Sequence, residues 1–377
     1  MIGSVVKKIV SLLVATVMLV PSIFSQGFER LESDKKAQIE RIARLEQAYA
    51  NGEALKVNEQ DFVLGDLNIA IENGIKFNEI SFVATHNSYQ TKTVEAYCQI
   101  FDNLSALTFN LVSNKSGEFS SQTLTDQFNC GIRSIEMDIE TVKNGDDVSF
   151  VCMHNPYFDM GTTSYSFELA LKEIKMWSDY NPSHLPITII IEPKTSFIPL
   201  ENMEYMNLDY ALKLDEMLRD VLGDNLFEPA DMLRDYASFA EMRYADDWCK
   251  VEDMLGKVVV LLHDTGITED YIKLDESIKS QAMFPMLRYD DSDLPYASFL
   301  LMNNPWDAFE NRDEIIDTKK LIVRTMADSY TDVSQKDLDD SIQSGAQIIS
   351  TDYPVRTDSI ADSYVVSFGN NKTIRVK

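Results

Sequence analysis

Between residues 80 and 351 the chain alternates short aliphatic runs with longer stretches whose apolar residues recur at helical spacing. The runs fall at 80–85, 132–140, 148–154, 187–192, 257–263, 283–287 or 299–302, 321–325 and 346–351. Runs this short and this apolar suit strands buried on both faces, and segments such as 166–180 and 206–222 suit the helices that cover them. Alternation sustained this long predicts an α/β chain whose parallel sheet closes as a TIM (β/α)8 barrel, with room for distortion. The barrel is expected over 76–377. An N-terminal helical extension is expected over 26–75, where Ile39, Ile42, Leu45 and Tyr49 share one helical face. The stretch 225–252 reads as inserted helices and loops, and 290–295 as a solvated acidic turn.

The first 25 residues carry Lys7 and Lys8, then an apolar run broken by Ser11, Thr16, Pro21 and Ser22, then the small residue Ser25. That is the pattern of a secretory leader cleaved near Ser25, so the mature protein is expected to be secreted or periplasmic. The formal charge of −27 falls two units further without the leader lysines. A surface this acidic excludes nucleic acid as a partner and disfavours tight adsorption to anionic lipid, leaving transient contact with a membrane surface. Nothing in the chain calls for an obligatory protein partner. Cys98, Cys130, Cys152 and Cys249 form an even set that allows up to two disulfides in an oxidising compartment, and the lack of CxxC spacing argues against zinc.

Polar residues recur at the ends of the apolar runs: His86 and Asn87, Glu136 and Asp138, His154, and Glu192. In a barrel these ends open onto the catalytic face. Glu136 and Asp138 are two apart, so they face the same side roughly 7 Å from each other while Ile135, Met137 and Ile139 face the helices. Carboxylates crowded into a water-poor mouth raise one another's pKa unless a cation offsets them. An Asn amide with three carboxylates, free of sulfur and imidazole, suits a hard cation, Ca2+ ahead of Mg2+. Two histidines on separate segments then supply proton transfer and charge stabilisation for phosphodiester cleavage.

The residues also carry a resemblance. THNSY at 85–89, LTDQFNCGIRSIEMDIE at 124–140, MHNP at 153–156 and IIIEPK at 189–194 resemble the catalytic X region of phosphatidylinositol-specific phospholipases C, above all the calcium-dependent bacterial branch. RTMAD at 324–328 and GAQIISTDYP at 345–354 resemble the last two strands of that branch. The resemblance implies a distorted TIM barrel that cleaves phosphatidylinositol, or a related glycerophosphodiester, to diacylglycerol and a cyclic inositol phosphate. It implies His86 as stabiliser of pentacoordinate phosphorus, His154 as general acid, and Asn87, Glu136, Asp138 and Glu192 as calcium ligands. Glu136 or Glu192 is the expected base. Lys194 and Arg324 are expected to hold phosphate or inositol oxygens, or else to form ordinary ion pairs with barrel carboxylates. His263, at another run's end, could line the same mouth but is expected to pack, and His184 to be structural.

Two other functions compete. A glycerophosphodiester phosphodiesterase is also a two-histidine barrel with an acidic metal site, but that family usually opens on His-Arg, and here His86 is followed by Asn87-Ser88-Tyr89. A non-catalytic barrel that binds an inositol lipid or glycan would have no need of both histidines and all four oxygen ligands.

Overall fold

The computed structural model describes residues 2–92, 120–155, 161–194, 202–329, 332–356 and 364–376, with side chains from residue 27 onward. Eight parallel strands form the ring: β1 (Ile80–Thr85), β2 (Ser134–Asn144), β3 (Ile187–Pro193), β4 (Val258–Leu262), β5 (Phe284–Leu287), β6 (Phe299–Leu301), β7 (Ile322–Met326) and β8 (Ile348–Thr351). β8 pairs back onto β1, and β1 onto β2, so the sheet closes. Closure buries both faces of every strand, which is why β4 reads Val-Val-Val-Leu-Leu with no polar alternation.

The barrel is distorted at one seam. β1 meets β2 at only two positions, Ala84 with Ser134 and Thr85 with Ile135. Below them Ile374–Val376 wedges in antiparallel against Ile80–Phe82, and its other edge takes Val63–Leu64. The turn into β2 passes through Gly131 at φ 85°, where a Cβ would lie 2.4 Å from the Phe62 ring. Only glycine permits that approach.

The run at 148–154 forms a strand, Asp147–Cys152, but it lies outside the ring. β2 overshoots the barrel, and its outer half pairs antiparallel with Asp147–Cys152 through a tight turn at Gly145. Both 284–287 and 299–301, expected as alternatives, are ring strands. The Asn144-Gly145 step was the available signal, because that dipeptide favours a hairpin over a crossover.

Helices cover the ring where the periodicity places them. α1 (Ile2–Asn51) runs through the expected extension, α2 (Phe167–Tyr180) starts on a Ser166 cap and α3 (Leu208–Leu222) on an Asn207 cap. α2 turns Phe167, Ala170, Leu171, Ile174 and Trp177 inward at helical spacing. Short helices Pro229–Leu233 and Phe239–Tyr244 make up the insertion between β3 and β4. Among the described residues, no helix is long and apolar enough to cross a membrane. Cys152 and Cys249 are buried thiols with no disulfide, and Cys98 lies outside the described residues.

Candidate active site

The ring strands share one C-terminal mouth, and the turn after β1 is built into it. Asn87 adopts φ 43°, a left-handed conformation that Asn tolerates better than most residues. The turn is stitched to β2 in both directions: Ser88 N donates to Glu136 O at 2.9 Å, and Glu136 N donates to Ser88 Oγ at 2.8 Å. Gln127 fixes it from below, accepting from Thr85 Oγ1 and donating to Ser88 O, each at 2.7 Å. His86 and Asn87 are thereby held against the acidic strand.

Register sets the levels of the mouth. Asp138 stands opposite Glu192, and Ile191 opposite Leu262, so Asp138, Glu192 and His263 share one layer, with Glu136 one inward position below. One ligating atom each from Glu136, Glu192 and His263 lie within 4.8 Å of one another. His263 therefore lines the site instead of packing away from it. It follows β4 as Glu192 lies near the end of β3, and that shared register decides between lining the mouth and packing.

The charges are interlocked. Arg324, buried on β7, places Nη2 2.6 Å from Glu136 Oε2, and its Nη1 donates to Asn303 Oδ1. Lys194 Nζ lies 2.9 Å from Asp138 Oδ2 and 2.9 Å from Glu192 Oε1. Both expected substrate cations are thus paired with barrel carboxylates. Burial alone would push the Glu136 carboxyl up, but Arg324, His86, His263 and Lys194 hold it down at about 2. For Asp138 burial wins, with Glu192 adding to it against Lys194, and its pKa is raised. Burial would discharge Lys194, yet Asp138 and Glu192 outweigh it and keep the ammonium charged.

His86 has a partner that the sequence reading missed. Its Nδ1 lies 2.9 Å from Asp352 Oδ1, on the residue that follows β8. Burial opposes the imidazolium, but the hydrogen bond to Asp352 and the charge of Glu136 raise the His86 pKa. Asp328 supports Asp352 in turn, accepting from Asp352 N at 2.8 Å and from the Thr351 hydroxyl. The position of Asp352, one residue past the last strand as His86 is one past the first, was legible in STDYP.

His154 follows Met153 in a bend after the outer hairpin strand, not after a ring strand. His184 sits at the opposite pole, between Ser178 Oγ at 2.6 Å and Leu185 O at 2.6 Å, as a structural residue. Among the described residues, atoms at the mouth buried without a hydrogen-bond partner include Asn87 Nδ2, Asp138 Oδ1, His263 Nδ1 and Arg324 Nε. Burying polar atoms unpaired costs free energy, so a mouth built this way suits an ion or a substrate that completes it. The unpaired carboxylate oxygen of Asp138, beside Glu192 and Glu136, fits a hard cation.

Solved structures share the fold. A calcium-dependent phosphoinositol-specific phospholipase C from a Pseudomonas species superposes with a TM-score of 0.51 at 18% identity, covering 81% of this chain and 96% of that one. A Ca2+-dependent phosphatidylinositol-specific phospholipase C from Streptomyces antibioticus gives 0.51 at 16% identity, covering 74% and 94%. At such identities the likeness is one of fold. No curated protein sequence matches the chain. Residues 142–377 match the model of Ca2+-dependent phosphoinositide phospholipase C, a span that includes His154, Glu192, Lys194, Arg324 and Asp352. With more than half its length in that match, and a closed ring of strands beneath it, the chain belongs to the Ca2+-dependent phosphoinositide phospholipase C family and is a phosphodiester-cleaving enzyme.

Proposed function

We propose that the protein cleaves the glycerol–phosphate bond of phosphatidylinositol, releasing diacylglycerol and a cyclic inositol phosphate. The observation that carries this reading is the His86–Asp352 pair set beside Glu136 at the acidic mouth. An imidazole that donates Nδ1–H to Asp352 keeps its basic lone pair on Nε2, ready for the inositol 2-hydroxyl proton. Glu136 is the weaker base, because Arg324 holds its carboxylate ionised at low pH. The 2-hydroxyl oxygen bonds to phosphorus, the bond to the glycerol oxygen breaks, and His154 gives that oxygen its proton. Arg324 and Lys194 hold positive charge where the phosphoryl oxygens gain negative charge.

Asn87, Glu136, Asp138 and Glu192 would hold Ca2+, with His263 beside them. When bound, the ion supplies charge neutralisation and lowers the pKa of a coordinated hydroxyl. No cluster of unpaired Lys or Arg stands out at the mouth among the described residues, which favours an inositol ring without extra phosphates.

The leader of residues 1–25 supports export, with the mature chain beginning near Gln26 and meeting its lipid by transient contact. The test is a product assay on phosphatidylinositol vesicles with calcium and with chelator. Cyclic inositol phosphate and diacylglycerol, formed only with calcium, support the proposal. Free glycerol phosphate would turn it toward a glycerophosphodiesterase.

A further inference from the structure

α1 lies outside the family match, yet its contacts gather on the segment that carries His154. Leu31 joins Val151 and Met153 in a small apolar cluster separate from the main core, with Tyr165 and Val142 around it. Met153 is the residue before His154. Beyond the His154 loop, the returning chain at 161–166 meets α1 again and again. Asp34 Oδ2 accepts from Thr162 N at 3.1 Å, and Arg41 Nη2 donates to Thr163 O at 2.7 Å. Gln38, 1% exposed, clasps Ser166 from both sides, donating to its O at 2.9 Å and accepting from its N at 2.8 Å. The Lys35 ammonium lies 4.5 Å from the centre of the Tyr165 ring.

The far side of the same segment is held by the His86 turn. Thr91 N donates to Gly161 O at 3.0 Å, and Thr163 N donates to Tyr89 O at 2.7 Å. The approach is so close that a Cβ on Gly161 would lie 2.6 Å from Thr91 O. Cys152 N donates to Tyr165 O at 2.7 Å. The chain on both sides of His154 is thus pinned between α1 and the turn bearing the other catalytic histidine. α1 also braces α2, where Arg41 Nη2 lies 2.9 Å from the buried Glu173 carboxylate and the Tyr49 and Tyr180 rings sit 5.0 Å apart, while its buried Leu31 and Ile42 fall outside the main core.

We propose that α1 is a positioning element for His154, acting through Leu31 and Gln38 to aim the imidazole at the leaving oxygen. This rests on the general-acid role proposed above for His154. An acid matters in proportion to the basicity of the group it protonates, so a nitrophenolate, which departs unaided, has little need of it. Misplacing a catalytic group by about 1 Å costs on the order of a hundredfold.

The experiment uses full-length Leu31→Ala, Gln38→Ala and the double variant, each assayed on phosphatidylinositol and on an inositol phosphodiester with a nitrophenolate leaving group. The expected result is a kcat about tenfold to a hundredfold lower on the lipid, KM within about twofold, and nitrophenyl turnover within about twofold. Leu31→Met, which refills the cluster, should restore lipid turnover. Equal losses on both substrates, or no loss on either, would overturn the proposal and leave α1 a structural brace. If the double variant does not fold, Gln38→Ala alone decides, since it removes one polar clasp and leaves the apolar cluster intact. His154→Ala serves as the reference. If it slows both substrates alike, the acid role itself fails and α1 has nothing to position; if it slows the lipid alone while the α1 variants slow neither, only the α1 proposal falls.

Discussion

Two buried polar clusters, one at each pole of the barrel, are completed to different degrees. At the N-terminal pole Arg133, fully buried, pairs with both oxygens of Glu59, donates to Phe128 O at 2.8 Å and Ile132 O at 2.7 Å, and lies 4.7 Å from the centre of the Trp177 ring. His184 is satisfied on both ring nitrogens. At the C-terminal mouth Asn87, Asp138, His263 and Arg324 each leave a buried polar atom unpaired. The Arg133 and His184 clusters are thus closed, whereas the cluster at the mouth is left open where a ligand is due, although Arg243 Nε and Nη2 and Asn78 Oδ1 also stay unpaired on the N-terminal side.

That contrast predicts a double dissociation. His154→Ala should cut turnover on phosphatidylinositol by about 10²- to 10⁴-fold while the melting temperature hardly moves. Glu59→Ala should do the reverse. It strands the Arg133 guanidinium without its counter-ion and should cost about 3–5 kcal/mol of unfolding free energy, with kcat retained by the folded fraction. Denaturant titration and steady-state kinetics on the same preparations check both. A Glu59 variant that lost kcat and kept its stability would erase the distinction between the poles.

Much of the ring was readable because most of its strands are short, largely apolar runs and the covering helices keep their period, as in Ile187–Pro193 followed by Leu208–Leu222. Periodicity could not tell a ring strand from a hairpin strand, since Asp147–Cys152 and β2 share the same pleat and differ only in what closes the turn. At the site, His86, Glu136, Asp138 and Glu192 were visible as polar residues ending apolar runs. Asp352 was not singled out and His263 was expected to pack, because their meaning depends on register across the ring: β8 returns to β1, and β4 lies beside β3. Pairing of Lys194 and Arg324 with the acidic residues was likewise a matter of depth, which sequence spacing does not encode.

Calcium should narrow the gap between the poles. An ion that binds only the folded mouth stabilises by mass action, about 2.7 kcal/mol at a hundred times its dissociation constant. Titrating calcium into chelated protein should therefore raise the melting temperature. Asp138→Asn should weaken that rise, whereas Glu59→Ala should lower the starting point and leave the increment intact. An increment unchanged in Asp138→Asn would remove that carboxylate from the ion's shell.

The most local effect belongs to His184. Burial pushes its pKa down to about 4, against a backbone hydrogen bond to Leu185 that pulls the other way and the nearby Arg133 charge that adds to the fall. The unfolded chain takes up a proton near the ordinary histidine value of 6.5, while the folded chain does not until about 4. Between those values the unfolded state binds more protons, so unfolding free energy falls as pH drops, by up to roughly 1.4 kcal/mol per pH unit. His184→Gln replaces the ring with a neutral group that still reaches the Ser178 hydroxyl, at some cost in packing against Trp177. Urea titrations of both proteins between pH 7 and pH 4 should show the two stability curves converging on acidification. Parallel curves would mean that His184 is protonated in the folded barrel, and that the closed pole tolerates a charge its hydrogen bonds leave no room for.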